Sequence, residues 1–347
     1  MPELTHLLGD HTTLRLGGPA ARWVTATTEA ELVAAVSAAD VAGEPVLVLG
    51  GGSNVVVADT GFPGVVVEVA TAGVVPDVED GAACGGVMVT VAAGENWDAL
   101  VATAVERGWV GIEALSGIPG AVGATPIQNV GAYGQEVSQT VASVRAWDRL
   151  LGRVHTFASA DCGFGYRHSR FKAEPGRYLV LDVTFQLTQG TLGTPVGYAE
   201  LARTLGVEVG ERAPLTEVRA AVLGLRAGKG MVLDPTDHDT WSAGSFFTNP
   251  VVDAAVVPEG APTWPQPDGR VKTSAAWLIE HAGFSKGYGL DQGVPVSLST
   301  KHTLALTNRG GASTADLLAL AREIRDGVEA AHGIRLVNEP VLVGCEL

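Results

Sequence analysis

A serine stands between a glycine and two phenylalanines in Gly244-Ser245-Phe246-Phe247, followed by Thr248, Asn249 and Pro250. A hydroxyl in so apolar a setting can serve as an exposed catalytic group, although serines next to glycine are more often turn or cap residues. Neither Ser-x-x-Lys nor Gly-x-Ser-x-Gly surrounds it, so it carries no mark of an acyl-transfer nucleophile. A second cluster, residues 162–172, interleaves Phe164, Tyr166 and Phe171 with Arg167, His168, Arg170 and Lys172 in a chain of net charge −15. Two readings stand side by side: a grip on an anion, or an arginine lying over Tyr166 and Phe171 at the surface. Glu339, in Asn338-Glu339-Pro340, is one carboxylate at the entry to an apolar strand. It matters only if the fold brings it to another site. Lys301 and His302 read as surface residues. No His, Asp, Glu or Cys group has metal-ligand spacing, so no metal is expected.

Two glycine-rich stretches sit among these side chains. Residues 117–134 hold five glycines and two prolines, almost no charge, and the polar residues Gln128, Asn129 and Tyr133. That composition is too apolar for a solvated linker. It suits either main chain wrapped against a flat, partly anionic ligand or a tight buried turn. Gly50-Gly51-Gly52-Ser53-Asn54 is the second stretch. Successive backbone N–H groups there can form an anion-binding concavity, but no P-loop or dinucleotide fingerprint follows. By itself it reads as a hairpin turn; paired with residues 117–134 it favours the ligand reading.

Alternating strands and helices must position these groups. Strands are expected at residues 23–27, 45–49, 55–58, 65–69, 87–92, 141–147, 178–187 and 341–343. Thr28 and Glu31 form a capping box ahead of an apolar helical stripe, and Asn96 caps a helix stopped at Gly108. Further helices are expected at 216–227, 274–282 and 313–332, the last started by Ser313 and Asp316 and stopped by Gly333. A Gly/Thr/Pro-rich segment at 188–197 reads as a domain boundary, so the chain is an α+β protein of two parts. With 46% apolar residues it can build a large core, and no apolar run is long enough for a membrane span. Residues 1–10 lack a basic start and apolar run, so export is not expected. The three cysteines, Cys84, Cys162 and Cys345, share no metal-like spacing, which fits a reducing cytosol. The acidic balance excludes a nucleic-acid protein with a basic face, so any anionic ligand must be drawn by a few local cations.

In order along the chain, Thr13-Leu14-Arg15-Leu16-Gly17-Gly18, residues 49–54, 116–134, 166–172, 244–250, 272–283 and 338–340 resemble the UDP-N-acetylenolpyruvoylglucosamine reductase family. The resemblance covers nearly the whole chain. It implies an FAD-binding domain of the vanillyl-alcohol-oxidase type, made of two α+β subdomains, and a C-terminal α+β substrate domain. The corresponding ranges are an N-terminal segment 1–17, an FAD part 18–190 and a substrate part 191–347. FAD contacts are implied at Gly50, Gly51, Gly52, Ser53 and Asn54 near the pyrophosphate. Along the rest of the cofactor they fall at Ser116, Gly117, Ile118, Pro119, Gly120, Gly123, Ala124, Gln128, Asn129, Gly131, Ala132 and Tyr133. Neither loop contains a histidine, so the flavin is expected to be held non-covalently.

The implied reaction is NADPH-dependent, FAD-mediated reduction of the enolpyruvyl UDP-sugar to UDP-N-acetylmuramate, in peptidoglycan precursor synthesis. Ser245 matches the proton donor, with Arg167 and Glu339 at the substrate carboxyl group. Tyr166, Tyr198, Lys229 and Asn249 are the implied substrate contacts, and Tyr198 marks the subgroup with a longer substrate loop. His168 stands where an Asp is common, and residues 230–242 form a longer segment than in many relatives. A cytoplasmic monomer with no membrane or nucleic-acid partner is expected. Two other readings are a flavin oxidase of small alcohols, which leaves Ser245 and Glu339 without a task, and a non-catalytic nucleotide sensor.

Overall fold

A computed structural model describes residues 6–77 and 86–347; Cys84 lies outside the described residues. The chain divides into two compact units, one of Met1–Ala21, Gly52–Phe62 and Gly228–Leu347, the other of Arg22–Gly51 and Pro63–Ala227.

The second unit is built on two sheets. Strands Ala20–Ala26, Phe62–Val69 and Val46–Leu49 lie side by side in that order, the last two parallel with Val46 opposite Val65. Helix Glu29–Ala42 covers this sheet. Its Thr28–Glu31 capping box forms as the sequence predicts, satisfying end N–H groups and contributing about 1 kcal/mol. Leu32, Val36 and Ala39 are fully buried with Val65 and Val67.

The larger sheet is antiparallel, in the order Arg153–Ala158, Val141–Asp148, Tyr178–Gln189, Gly86–Ala92, Val74–Asp77, with Trp109–Val110 paired to the far end of Tyr178–Gln189. Helix Trp97–Glu106, capped by Asn96, packs Trp97, Leu100, Val101 and Ala104 into the same core as Val89, Val91 and Phe185. The Trp97 indole N–H donates to the Leu115 carbonyl at 3.0 Å. Truncating a buried indole of this kind to alanine costs about 3–5 kcal/mol. Leu115 lies two residues before the glycine-rich stretch, so the bond ties the entry of that stretch to the core.

The first unit has its own core. Leu14, Leu16 and Val56 pack with Phe246, Phe247 and helices Ala275–His281 and Thr314–His332. Strand Val341–Val343 runs parallel to Val55–Val57, closing nearly the whole chain length. Asp59 accepts from the N–H groups of Thr314 and Ala315 at 2.7 and 3.1 Å. A carboxylate there suits the positive end of the helix dipole.

The strands and helices expected from sequence form within a few residues of their limits. Residues 50–54 are not a hairpin turn: Val46–Leu49 pairs in one sheet and Val55–Val57 in another. Pairing partners distant in sequence, not the turn, decide where each strand goes. The sequence expectations lack strands Val74–Asp77, Arg153–Ala158, Thr263–Pro265, Val271–Thr273, Val296–Leu298 and Leu306–Asn308 and helix Ala199–Leu205, among other short elements. Among the described residues no helix is long and apolar enough to cross a membrane, and no group of side chains could hold a metal ion. Burial pushes the Cys162 thiol up to about 11, which keeps it unreactive.

Candidate active site

In the second unit, the two glycine-rich stretches meet main chain to main chain. A Cβ on Gly51 would lie 2.7 Å from the Gly120 Cα, so only glycine permits the approach. Among the described residues the N–H groups of Gly51, Ile118 and Gly120 donate to no protein acceptor. Clustered backbone donors of this kind fit the phosphates of FAD without many cations. The turn is braced from behind by Asp98, whose carboxylate accepts from Gly117 N–H at 2.6 Å and from both terminal nitrogens of Arg219 at 2.6 and 2.9 Å. Partial burial pushes the Asp98 carboxyl up, but Arg219 and the Gly117 amide outweigh it and hold it below the ordinary value.

An expected consequence follows for Gly51→Ala. The new methyl meets backbone, which cannot swing aside, and overpacking of this kind costs about 1–3 kcal/mol. Flavin content per polypeptide, read from absorbance, is expected to fall sharply. Gly224→Ala, in helix Leu215–Gly228 with nothing within 4 Å of the added Cβ, is expected to keep full flavin content.

Farther along, Asn129, Tyr133 and Arg167 all adopt left-handed backbone, with φ of 45°, 49° and 51°. Such conformations cost on the order of 1–3 kcal/mol each and cluster where function demands them. The Arg167 guanidinium donates to the Gly131 carbonyl at 2.8 Å and lies over the Tyr166 ring. Asn129 commits its side chain to this turn: its amide donates to Gly165 O and to Glu136, and its Oδ1 accepts from Ser138 N–H. Ser116 is fully buried and donates to the Glu113 carbonyl at 2.7 Å. The structure therefore joins Arg167 and Tyr166 to the end of the glycine-rich stretch. Tyr198 stands edge-on to Tyr133, ring centres 5.5 Å apart.

Ser245, Asn249, Lys229 and Glu339 belong to the first unit. Gly244, with φ of 73°, turns the chain just before Ser245. Phe246 and Phe247 are buried and anchor the segment behind it. Phe246 N–H donates to Leu304 O at 2.7 Å, and Glu339 N–H donates to Phe246 O at 2.8 Å. An antiparallel bridge between Phe247 and Asn338 completes the join. Thus Ser245 and Glu339, 94 residues apart, lie on adjoining segments of backbone. Both are half-buried. Asn249 Oδ1 accepts from Ala275 N–H at 2.9 Å, fixing the side chain at the start of helix Ala275–His281.

Three carboxylates with partners distant in sequence were missed: Asp98 and Glu113 in the second unit and Asp239 in the first. Each looked like one solvated acid in an acidic chain. Asp98 carried a faint signal, standing in the first turn of an expected helix.

Comparisons with known proteins show the family. Residues 20–158 match the FAD binding domain family, and residues 234–343 match UDP-N-acetylenolpyruvoylglucosamine reductase, C-terminal domain. The UDP-N-acetylenolpyruvoylglucosamine reductase of Cutibacterium acnes is 62% identical over 336 residues, covering 97% of this chain and 89% of that protein. That of Streptomyces coelicolor is 57% identical over 353 residues, covering 97% and 88%. The crystal structure of the reductase from Thermus caldophilus superposes with a TM-score of 0.66 at 27% identity, over 98% of both chains. The α+β architecture, with its FAD-binding domain of the vanillyl-alcohol-oxidase type, accords with these matches. The chain belongs to the UDP-N-acetylenolpyruvoylglucosamine reductase family, FAD-dependent oxidoreductases of the UDP-N-acetylmuramate dehydrogenase type that act in peptidoglycan precursor synthesis.

Proposed function

We propose that this enzyme reduces the enolpyruvyl group of a UDP-sugar with NADPH, giving UDP-N-acetylmuramate, and that Ser245, Arg167 and Glu339 carry the protein's share of the chemistry. Residues 50–54 and 116–133 would hold FAD non-covalently, and the flavin would supply hydride transfer between NADPH and the enolpyruvyl methylene carbon. The Ser245 hydroxyl donates a proton to the adjacent carbon, which bears the developing negative charge. A hydroxyl is a weak acid, suited to so basic a site. Arg167 holds the substrate carboxylate, where a planar fork tightens its grip as charge spreads onto the oxygens. Glu339 sits at the same carboxyl group, hydrogen-bonded so that two anions do not face each other bare. Lys229 and Asn249 bind the diphosphate, and Tyr166 and Tyr198 line the sugar nucleotide.

The observation that carries this reading is the backbone bridge joining the Ser245 and Glu339 segments, within a chain 62% identical to a named reductase. We assign FAD binding to residues 18–190 and substrate binding to 191–347. Within the latter range, residues 191–227, Tyr198 included, pack with the second unit. The enzyme is taken as a cytoplasmic monomer with no nucleic-acid or membrane partner.

The test is the visible spectrum of the purified protein. It is expected to show flavin, to bleach on anaerobic NADPH addition, and to recover its colour when the enolpyruvyl sugar nucleotide is added. Recovery with oxygen and not with the sugar nucleotide would point instead to an oxidase.

A further inference from the structure

Glu113 is only 1% exposed, yet every donor to its carboxylate is neutral. Oε2 accepts from Gly111 N–H at 2.7 Å. Oε1 accepts from Thr194 N–H at 2.7 Å, the Thr194 hydroxyl at 2.9 Å and the Gln135 side-chain amide at 2.9 Å. Gln135, also buried, donates again to Thr194 Oγ1 at 2.6 Å and accepts from Ala114 N–H at 2.8 Å. Burying a carboxylate is costly unless its lone pairs are satisfied, and here they are.

This node ties together three segments: the turn Glu113–Leu115 that opens the cofactor stretch, the hairpin of Gly131–Ala132 and Gln135–Glu136 that carries Tyr133, and residues 193–197, which lead into Tyr198. A cavity of about 220 Å³ lies beside the node, lined by Tyr133, Gln135, Thr194, Val196 and Leu201. Ala114, Val196 and Leu201 pack in one cluster with Tyr133, and the Gly193 and Val196 N–H groups donate to Ala213 O and Glu211 O at 2.8 Å; the Glu113 carboxylate adds the polar tie at Thr194. Tyr198 itself is 43% exposed and is steadied by its edge contact with Tyr133.

We propose that Glu113 is a positioning residue for substrate recognition: its carboxylate fixes residues 193–197 so that Tyr198 is presented beside Tyr133, and it acts on substrate affinity through Tyr198. The proposal rests on the reading of Tyr198 as a substrate contact. A carboxylate is required because donors converge on both of its oxygens. An isosteric amide would turn an N–H toward one of them.

A double-mutant cycle tests this with holoenzyme, using Glu113→Gln, Tyr198→Ala and the pair. Glu113→Gln is expected to raise KM for the enolpyruvyl sugar nucleotide about tenfold, with a much smaller change in kcat. Tyr198→Ala is expected to raise KM as well, and the double variant to be no worse than Tyr198→Ala alone. Additive KM effects, or a loss in kcat at unchanged KM in Glu113→Gln, overturn the proposal. An unchanged KM in Tyr198→Ala overturns the substrate role of Tyr198 and the proposal with it. Thr194→Val removes one hydroxyl from the same node. It is expected to show the same non-additivity should Glu113→Gln lose flavin or melt early, and additivity there overturns the proposal equally.

Discussion

Replacing Ser245 with alanine is expected to leave the flavin reducible by NADPH while lowering turnover of the enolpyruvyl sugar nucleotide about 10²–10⁴-fold, the usual contribution of a positioned general acid. The structure makes the substitution clean. The backbone around Ser245 is held without its side chain, by the Gly244 turn, the Phe246–Leu304 and Glu339–Phe246 hydrogen bonds, and two buried rings. The Ser242 carbonyl, three residues earlier, accepts from the Thr13 hydroxyl at 2.7 Å. Losing one hydroxyl from a half-buried site therefore changes chemistry more than fold. Stopped-flow spectroscopy separates the two half-reactions: bleaching by NADPH at the wild-type rate, then slow recovery with substrate. Equal slowing of both halves would assign Ser245 a structural role.

Asp239→Ala is expected to destabilise the first unit by about 1–3 kcal/mol, because it leaves the half-buried Arg309 guanidinium and the Thr300 donors without their acceptor. Asp239 is 4% exposed and accepts from Arg309 at 2.7 Å, from Thr300 N–H at 2.9 Å and from the Thr300 hydroxyl. Arg309 also donates to Ser297 at 2.7 Å. Together with the Lys301–Asp237 pair this clamps the segment that runs from Lys229 to Ser245. Lys301, read from sequence as a surface residue, is thus half-buried and paired. Removing both charged partners at once, as Asp239→Leu with Arg309→Met, is expected to cost far less than removing one. Denaturant unfolding followed by the fluorescence of the first unit's tryptophans, Trp241, Trp264 and Trp277, measures both.

The same residue sets part of the acid limb of stability. Burial pushes the Asp239 carboxyl up, but the Thr300 bonds and Arg309 outweigh it and hold the folded value below the ordinary one. A depressed folded value means that the stabilisation is complete above the unfolded value of about 4 and is lost as pH falls through the folded value. In Asp239→Asn the unfolding free energy is expected to vary less with pH below about 4 than in the wild type.

Local signals were legible because they depend on neighbours in the chain. Thr28 with Glu31 and Ser313 with Asp316 form their capping boxes, Asn96 caps its helix, and Gly333 ends the last one in left-handed backbone. Each depends on side chains within four residues of the N–H groups they satisfy. Glycine density likewise announced close backbone approach at Gly51 and Gly120, though not that these two residues would be the ones to meet. The resemblance read from ordered motifs named the family that the comparisons then showed.

What sequence alone determined, then, was most of the longer helices and strands, the glycine-dependent main chain at Gly51 and Gly120, and, through the resemblance, the candidates Ser245, Arg167 and Glu339. The tertiary structure decided which acids matter. Asp98, Glu113 and Asp239 find their partners 121, 81 and 70 residues away, in Arg219, Thr194 and Arg309. It also carried Glu339 to the backbone beside Ser245 and paired Val341–Val343 with Val55–Val57. A carboxylate in a sequence looks the same whether it ends up in water or beneath a loop. Only the fold removes the water, and with it gone each lone pair must find a donor, which turns an ordinary acid into the fastening point of a site.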